Sequence, residues 1–211
     1  MRLKPFSVTE KFIKRAIDVF GSIVGCALFF IACVLLFPFY FFAPKHERGP
    51  MLYTQKRFGR NGKPFQIYKF RTMIVHDESY WIKNPEVYAA YRANGNKLED
   101  DPRVTKIGKF IRSKSLDELP QFLNVLKGEM SLVGPRPILE FEIQEYGERA
   151  NDLWHAKPGI TGYWTTHGRS RVHFPERAEL ELMYNLKHGF LFDIKTLFVT
   201  VHQLVFRKDA Y

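Results

Sequence analysis

Two adjacent carboxylates, Asp117 and Glu118, lie in a strongly basic part of the chain and are the side chains best suited to chemistry. When the substrate is a phosphate ester, one carboxylate can attack as a nucleophile and its neighbour can hold a divalent cation. Basic residues upstream of the pair would attract the negatively charged phosphate. These residues are Arg103, Lys106, Lys109, Arg112 and Lys114. The pattern therefore favours a site that handles a phosphate diester together with a metal ion.

The same segment also has a purely structural interpretation. Ser115 followed three residues later by Glu118 is the pattern of a helix capping box, and acids favour the first turn of a helix. This interpretation predicts a helix that ends at Gly128 and carries one apolar stripe, made of Leu116, Leu119, Phe122, Leu123 and Leu126. Both carboxylates would then lie in the first turn of that helix.

Further basic residues lie on a predicted hairpin and in a proline-rich loop. Two β-rich runs, 51–58 and 64–73, flank an Asn-Gly pair, which predicts a β-hairpin. Lys69 and Arg71 should share one face of its second strand, because side chains alternate along a strand. Residues 131–137 form a tight, proline-bounded loop that contains Arg136. The guanidinium group of an arginine can bind two phosphate oxygens at once, so these basic residues are candidates for phosphate binding.

An apolar segment without a single charge extends from Val19 to Ala43. It is long enough to cross a hydrocarbon core as a helix. Basic residues, which mark the cytoplasmic side of membrane segments, flank both of its ends. A helix that enters, bends and returns would keep both flanks cytoplasmic, whereas an ordinary span would not. The candidate bend sites are Gly21, Gly25, Pro38 and Pro44.

Two more helices are expected outside the carboxylate segment. Residues 105–112 carry apolar side chains at helical spacing. Near the C-terminus an amphipathic stripe consists of Ile194, Leu197, Phe198, Val201, Leu204 and Val205. Such a stripe can lie on a membrane, but packing into the protein core is its commoner role.

The 211 residues carry a formal net charge of +10, which suits an anionic partner. Phospholipid head groups, nucleotide phosphates and nucleic acid all meet that description. A membrane-tethered nucleic-acid-binding protein is therefore one alternative, although the chain contains no established nucleic-acid-binding motif. A non-catalytic scaffold for polysaccharide secretion is another, but it would leave Asp117 and Glu118 without a purpose. A multi-span transferase is excluded by the single membrane segment.

Four ordered motifs carry a family resemblance that runs from about Lys14 to Tyr211. They are KFRTM (69–73), DPRVTKIGKFIRSKSLDELPQ (101–121), SLVGPRP (131–137) and KPGITG (157–162). In these motifs the chain resembles the bacterial sugar transferases known as monotopic phosphoglycosyl transferases. It departs from them in lacking the usual Ser-Pro pair near Phe30-Ile31, and Thr165-Thr166 replaces a Gln-Val pair.

The resemblance implies a two-step transfer of a sugar-1-phosphate from a UDP-sugar to a polyprenyl phosphate, with release of UMP. Asp117 would form the covalent phosphosugar intermediate, and Glu118 would hold Mg²⁺. The candidates for binding substrate phosphates are Lys69, Arg71, Arg136 and Arg169. The product would begin the synthesis of exopolysaccharide, capsule or O-antigen.

We therefore expect an α+β protein without a Rossmann domain, since there is no glycine-rich fingerprint and no repeated strand–helix unit. Residues 1–48 should form a re-entrant or spanning anchor in the bacterial inner membrane. Residues 49–211 should form a small, mainly helical catalytic domain on the cytoplasmic face, with a β-hairpin and amphipathic helices at the membrane surface. The resemblance predicts UDP-sugar, polyprenyl phosphate and membrane lipids as partners, and no nucleic acid.

Overall fold

The computed structural model describes residues 3–75, 78–93, 98, 100–167 and 176–206. Arg169 lies outside these residues. The described part combines one long N-terminal helix, several short helices and two small sheets, which confirms the predicted α+β class.

The membrane segment forms a single helix, α1, from Val8 to Phe41. Ser7 caps its start, because the Ser7 hydroxyl accepts from the Glu10 N–H at 3.1 Å and Glu10 Oε2 accepts from the Ser7 N–H at 2.8 Å. All 34 residues are helical, so α1 is about 50 Å long and is apolar enough to cross a membrane. The helix is continuous through Gly21, Gly25 and Pro38, so none of these candidate bend sites interrupts it.

Gly21 and Gly25 instead mark places where other elements approach α1 closely. A β-carbon on Gly25 would lie 2.2 Å from the ring of Phe122, which belongs to helix α5 (Gln121–Lys127). A β-carbon on Gly21 would lie 2.6 Å from Leu132 Cδ1, in strand β3 (Ser131–Val133). The glycines are therefore contact positions: a side chain at Gly25 would overlap the Phe122 ring, and one at Gly21 would force the Leu132 side chain to move.

One stripe of α1 is buried against the body of the protein. Phe29, Leu36 and Tyr40 belong to a hydrophobic cluster with Phe70 and Ile111. Nearer the start of α1, buried Asp18 accepts hydrogen bonds from Ser131 Oγ at 2.8 Å and from the Leu132 N–H at 2.9 Å. The opposite face of α1 exposes apolar side chains to the surroundings: Phe20, Ile23, Phe30, Ile31, Val34, Leu35 and Phe39.

The predicted hairpin is confirmed. Strands β1 (Leu52–Phe58) and β2 (Pro64–Phe70) pair antiparallel, from Leu52 opposite Phe70 to Phe58 opposite Pro64. Asn61, between the strands, adopts a left-handed conformation with φ 59°. Its backbone shape is one that asparagine tolerates well, which explains why the Asn-Gly pair identified the turn.

The remaining elements are short. Helices α2 (Glu78–Lys83), α3 (Pro85–Ala93) and α4 (Lys106–Ser113) precede α5, and Thr105 caps α4 by accepting from the Gly108 N–H at 3.0 Å. After β3 come a 3₁₀ segment (Glu140–Arg149), α6 (Ala150–Leu153), β4 (Gly159–Thr161), α7 (Tyr163–His167), α8 (Glu176–Lys187) and α9 (Phe190–Phe206).

The loop predicted at 131–137 begins with a strand. Ser131 pairs with Gly159 and Val133 pairs with Thr161, in a parallel arrangement of β3 and β4. A three-residue strand is too short to show a periodic pattern, so the sequence indicated only the loop that follows. In the described residues the strands form two two-stranded sheets, in agreement with the expectation that there is no Rossmann domain.

Helix α9 presents most of its apolar stripe outward, with Leu197 packed inward, which is the arrangement expected of an amphipathic surface helix and not of a core helix. Phe198, Val201 and Val205 are among its exposed residues, whereas Asp193, Thr196 and Gln203 are buried. Asp193 pairs with Lys14 at 2.7 Å, Thr196 Oγ1 donates to the Phe192 carbonyl at 2.8 Å, and Gln203 Nε2 donates to the Thr166 carbonyl at 3.4 Å. The apolar faces of α1 and α9 thus both point away from the protein.

The contact at Gly25 gives a stability prediction. Alanine has a higher helix propensity than glycine by about 1 kcal/mol, so Gly25→Ala would stabilise an isolated helix. Here we expect it to destabilise the protein by about 1–3 kcal/mol, because the new methyl group overlaps the Phe122 ring. Thermal unfolding in one detergent measures the effect. Ala27→Val on the exposed side of α1 is the control, and an unchanged midpoint for Gly25→Ala would contradict the contact.

Candidate active site

Asp117 and Glu118 are presented by a 3₁₀ turn (Leu116–Glu118), and α5 begins only at Gln121. The predicted capping box is wrong. Ser115 is left-handed, with φ 54° and ψ 24°, and its side chain makes no capping hydrogen bond. This left-handed residue reverses the chain directly after α4, which leaves space for a single 3₁₀ turn before Pro120. The predicted end of the helix at Gly128 is confirmed by its left-handed φ of 84°.

Lys69 joins the hairpin to this turn. Its ammonium nitrogen lies 3.5 Å from Asp117 Oδ2 and 3.2 Å from Glu118 Oε1. Asp117 is only 5% exposed, whereas the Glu118 side chain is 36% exposed. Asp117 therefore lies at the bottom of the site and Glu118 at its rim, with one cation between them.

The Asp117 carboxyl is in an unfavourable position for a charge. Burial raises its pKa above the ordinary value, Lys69 opposes that shift, and the neighbouring Glu118 reinforces it. Among the described residues, no group donates a hydrogen bond to the buried Asp117 Oδ1. Such an atom is costly to bury, and perturbed carboxyls of this kind concentrate at functional sites.

Arg112 is a residue that the sequence did not single out from its four basic neighbours. Its guanidinium lowers the pKa of Asp117, and its Nε donates to Thr72 Oγ1 at 2.8 Å. Two of those neighbours are paired elsewhere, Arg103 with Asp101 and Lys109 with Asp100. The distinction depends on which side of α4 faces the turn, and the spacing of charges alone does not reveal it.

Arg71 does not share the surroundings of Lys69. Its Nε donates to the Pro50 carbonyl at 2.7 Å, and its two terminal nitrogens donate to the carbonyls of Met73 and Gly49 at 3.0 and 3.3 Å. The alternation rule applies within a strand, and β2 already ends at Phe70. In this arrangement Arg71 fastens the segment between α1 and β1, and its phosphate-binding role stays a prediction.

Arg136 belongs to a second buried cluster of charges. It lies 3.8 Å from Glu142, which also faces Arg57 at 3.7 Å and Arg177 at 3.5 Å. Within the described part of the chain, the buried Arg136 Nε has no hydrogen-bond acceptor. The structure thus brings together Lys69, Asp117 and Glu118 but places Arg136 in a different group, and Arg169 is outside the described residues.

The two carboxylates fit the requirements of Mg²⁺. This ion binds proteins through one or two carboxylates and completes its shell with water and substrate phosphates. Asp117 Oδ1 is buried without a partner, and Glu118 lies beside it at the rim. In residues 3–75, 78–93, 98, 100–167 and 176–206 no group of three or more His, Cys, Asp or Glu side chains forms a fuller metal cage.

Comparison with known proteins matches residues 9–207 to the model of the bacterial sugar transferase family. The undecaprenyl-phosphate galactose phosphotransferase of Salmonella typhimurium is 38% identical over 96% of this chain and 42% of its own length. The UDP-glucose:undecaprenyl-phosphate glucose-1-phosphate transferase of Escherichia coli is 36% identical over 98% of this chain and 43% of its own length.

The chain therefore spans less than half the length of these relatives. The exopolysaccharide production protein ExoY of Rhizobium meliloti is closer in size, and it is 36% identical over 94% of this chain and 88% of its own length. The family match covers nearly all of α1, the hairpin, the carboxylate turn and α9. The chain belongs to the bacterial sugar transferase family.

Proposed function

We propose that the protein transfers a sugar-1-phosphate from a UDP-sugar to undecaprenyl phosphate or a similar polyprenyl phosphate, and releases UMP. The observation that carries the proposal is the buried Asp117, with one unpartnered oxygen and with Lys69 at its other oxygen. The named activities of the relatives from Salmonella typhimurium and Escherichia coli support the substrate class. Membership of this family gives no support to a nucleic-acid-binding protein or to a non-catalytic scaffold.

In the first step Asp117 Oδ1 attacks the phosphorus that bears the sugar. A bond forms between the carboxylate oxygen and phosphorus, while the phosphorus–oxygen bond to UMP breaks and UMP keeps the electron pair. In the second step an oxygen of the polyprenyl phosphate attacks the same phosphorus. Asp117 leaves as a carboxylate, so the enzyme is regenerated and the product is a lipid diphosphosugar.

Lys69 and Arg112 support the first step electrostatically. Both cations lower the pKa of Asp117 and so counteract the effect of its burial. The carboxylate is thereby available as the anion that can attack. The same cations attract the negative diphosphate of the substrate toward the turn.

Of the two carboxylates, Glu118 is the residue that would hold Mg²⁺, because Asp117 Oδ1 is the attacking atom and Asp117 Oδ2 faces Lys69. When bound, the ion would neutralise charge on the substrate phosphates. Lys69 already lies between these carboxylates and holds both side chains at one place, so the protein positions the pair itself. We assign Glu118 chiefly to metal binding, because it is more exposed than Asp117.

We further propose that the catalytic domain lies on the cytoplasmic face of the inner membrane and that both flanks of α1 lie on that face. The packing of α1 supports this topology, because its contacts with the domain extend from Asp18 to Tyr40. A helix bound along most of its length to a domain with charged surfaces cannot pass through the bilayer without it. The outward apolar faces of α1 and α9 would then rest in the membrane.

Asp117→Asn should fold but lose activity by at least about 1,000-fold, since a covalent route has no substitute nucleophile. Removal of a buried charge whose pKa is raised should leave the unfolding temperature at pH 7 unchanged or higher. Mass spectrometry of the wild type with UDP-sugar alone should show a phosphohexose on the peptide that contains Asp117.

Glu118→Gln should also be inactive, and excess Mg²⁺ should restore part of its activity. Glu148→Gln removes an exposed carboxylate outside the site and should behave as the wild type. The two-step mechanism would be overturned if UMP appeared only when the lipid acceptor was present and no adduct could be trapped.

Lys69 should control the pH dependence of the reaction. Asp117 must be ionised to attack, and its pKa is raised, so kcat/KM should fall on the acid side at a pH above 3.8. Lys69→Met removes the cation that opposes this shift, and the acid limb should therefore move to higher pH. Lys56→Met, which loses an exposed cation paired with Glu140, should leave the limb in place. If the acid limb of the kcat/KM profile fell at the same pH in the wild type and both variants, Lys69 would not stabilise the Asp117 anion.

The topology can be tested with single cysteines at the two flanks of α1. In a background with Cys26→Ala and Cys33→Ala, we introduce Lys11→Cys or Lys45→Cys, both at exposed positions. A membrane-impermeant maleimide should label neither variant in intact spheroplasts and both after lysis. Labelling of either one from outside would show that α1 spans the membrane.

A further inference from the structure

Two cations converge on an open position at the end of α5. A β-carbon on Gly128 would lie 3.4 Å from the Lys157 ammonium nitrogen and 3.8 Å from an Arg15 guanidinium nitrogen. Arg15 is in the second turn of α1 and contacts the C-terminal end of α5, whereas Asp117 and Glu118 precede the N-terminal end of α5. The position is therefore separated from the two carboxylates by the length of α5.

Lys157 is a half-buried cation near the end of α5. Among the described residues its ammonium makes no ion pair or side-chain hydrogen bond, although it is half-buried. Burial lowers its pKa, and so do Arg15 and Arg60, while Asp18 acts in the opposite direction. A partly buried cation that is surrounded mainly by other cations is stabilised when an anion binds from outside.

Arg15 is held in a fixed orientation toward this position. Its two terminal nitrogens donate to the carbonyls of Val125 and Leu126 at 2.7 and 2.9 Å, at the C-terminal end of α5. These bonds fix the plane of the guanidinium and offset the partial negative charge of the helix end. The cationic site is therefore built in advance and does not depend on a flexible surface side chain.

A groove on α1 begins at the same arginine. It has a volume of about 370 Å³, and besides Arg15 it is lined by Phe12, Ala16, Val19, Phe20 and Ile23. Phe12 and Phe20 are 76% and 74% exposed. The uncharged part of the chain starts at Val19, so the cations lie where charged residues give way to apolar ones. In a bilayer this boundary is the level of the lipid phosphates.

We propose that Arg15, Lys157 and the α1 groove bind an anionic phospholipid. The lipid phosphate lies between the two cations above Gly128, and an acyl chain follows the groove past Val19 toward Ile23. Charge complementarity identifies the head group, because Arg60 adds a third cation nearby and Asp18 only partly offsets the cations around Lys157. The apolar groove identifies a lipid and not a soluble phosphate. This site goes beyond the proposed sugar transfer, since it uses neither Asp117 nor Glu118.

Lipid titration of the full chain in dodecyl maltoside tests the proposal, with native mass spectrometry as the readout. Dihexanoyl phosphatidylglycerol should bind with one copy per chain and more tightly than dihexanoyl phosphatidylcholine, whose choline cancels the phosphate charge. Lys157→Gln should weaken binding about tenfold, the effect of one lost charge-assisted hydrogen bond. Lys157→Arg should retain binding.

Lys195→Gln is the matched control, because it removes an equal charge from an exposed position on α9 beside another apolar face. Its affinity for phosphatidylglycerol should equal that of the wild type, and unfolding temperatures should show that every variant is folded. Equal affinities of Lys157→Gln and the wild type would overturn the site. Equal binding of phosphatidylcholine, or displacement of the lipid by inorganic phosphate at similar concentrations, would likewise overturn it.

Discussion

The contact of Lys69 with Asp117 is the interaction on which the proposed chemistry depends. Burial alone would leave the Asp117 carboxyl neutral at higher pH, and a neutral acid is a poor nucleophile. Lys69 comes from the hairpin and Asp117 from the turn after α4, so the charge balance exists only when these two elements are packed together. The left-handed Ser115 makes this possible, because it turns the carboxylates back toward the strand.

The membrane helix is part of the same arrangement and more than a tether. Phe29 packs on Phe70, which follows Lys69 directly, and the Tyr40 hydroxyl donates to the carbonyl of Arg71. Helix α1 and the elements that follow it thus share one hydrophobic core. A change in the position of α1 would therefore be transmitted to the strand that carries the lysine.

The exposed apolar surface of the protein is formed by the faces of α1 and α9 that do not pack against other elements. In α9 the polar side chains face the protein, where Thr200 and Thr161 form a hydrogen bond of 2.6 Å, and the apolar side chains face outward. In water this arrangement would be unfavourable, since it exposes large apolar residues. At a membrane both faces are satisfied, because lipid accepts the apolar stripe and the protein satisfies the polar one.

Local patterns in the sequence determined much of this protein: the hairpin around Asn61, the start of α4, the glycine end of α5, the apolar helix α1, and the adjacent carboxylates Asp117 and Glu118. Each depends on neighbours within a few residues, so a single sequence contains the information. Only the tertiary structure decided that Ser115 begins a 3₁₀ turn and not a capped helix, that the fork of Arg71 binds backbone carbonyls, and that α9 faces outward. These features depend on which distant groups are brought together, because packing partners and not local propensity determine where a side chain finds its hydrogen bonds and its apolar contacts.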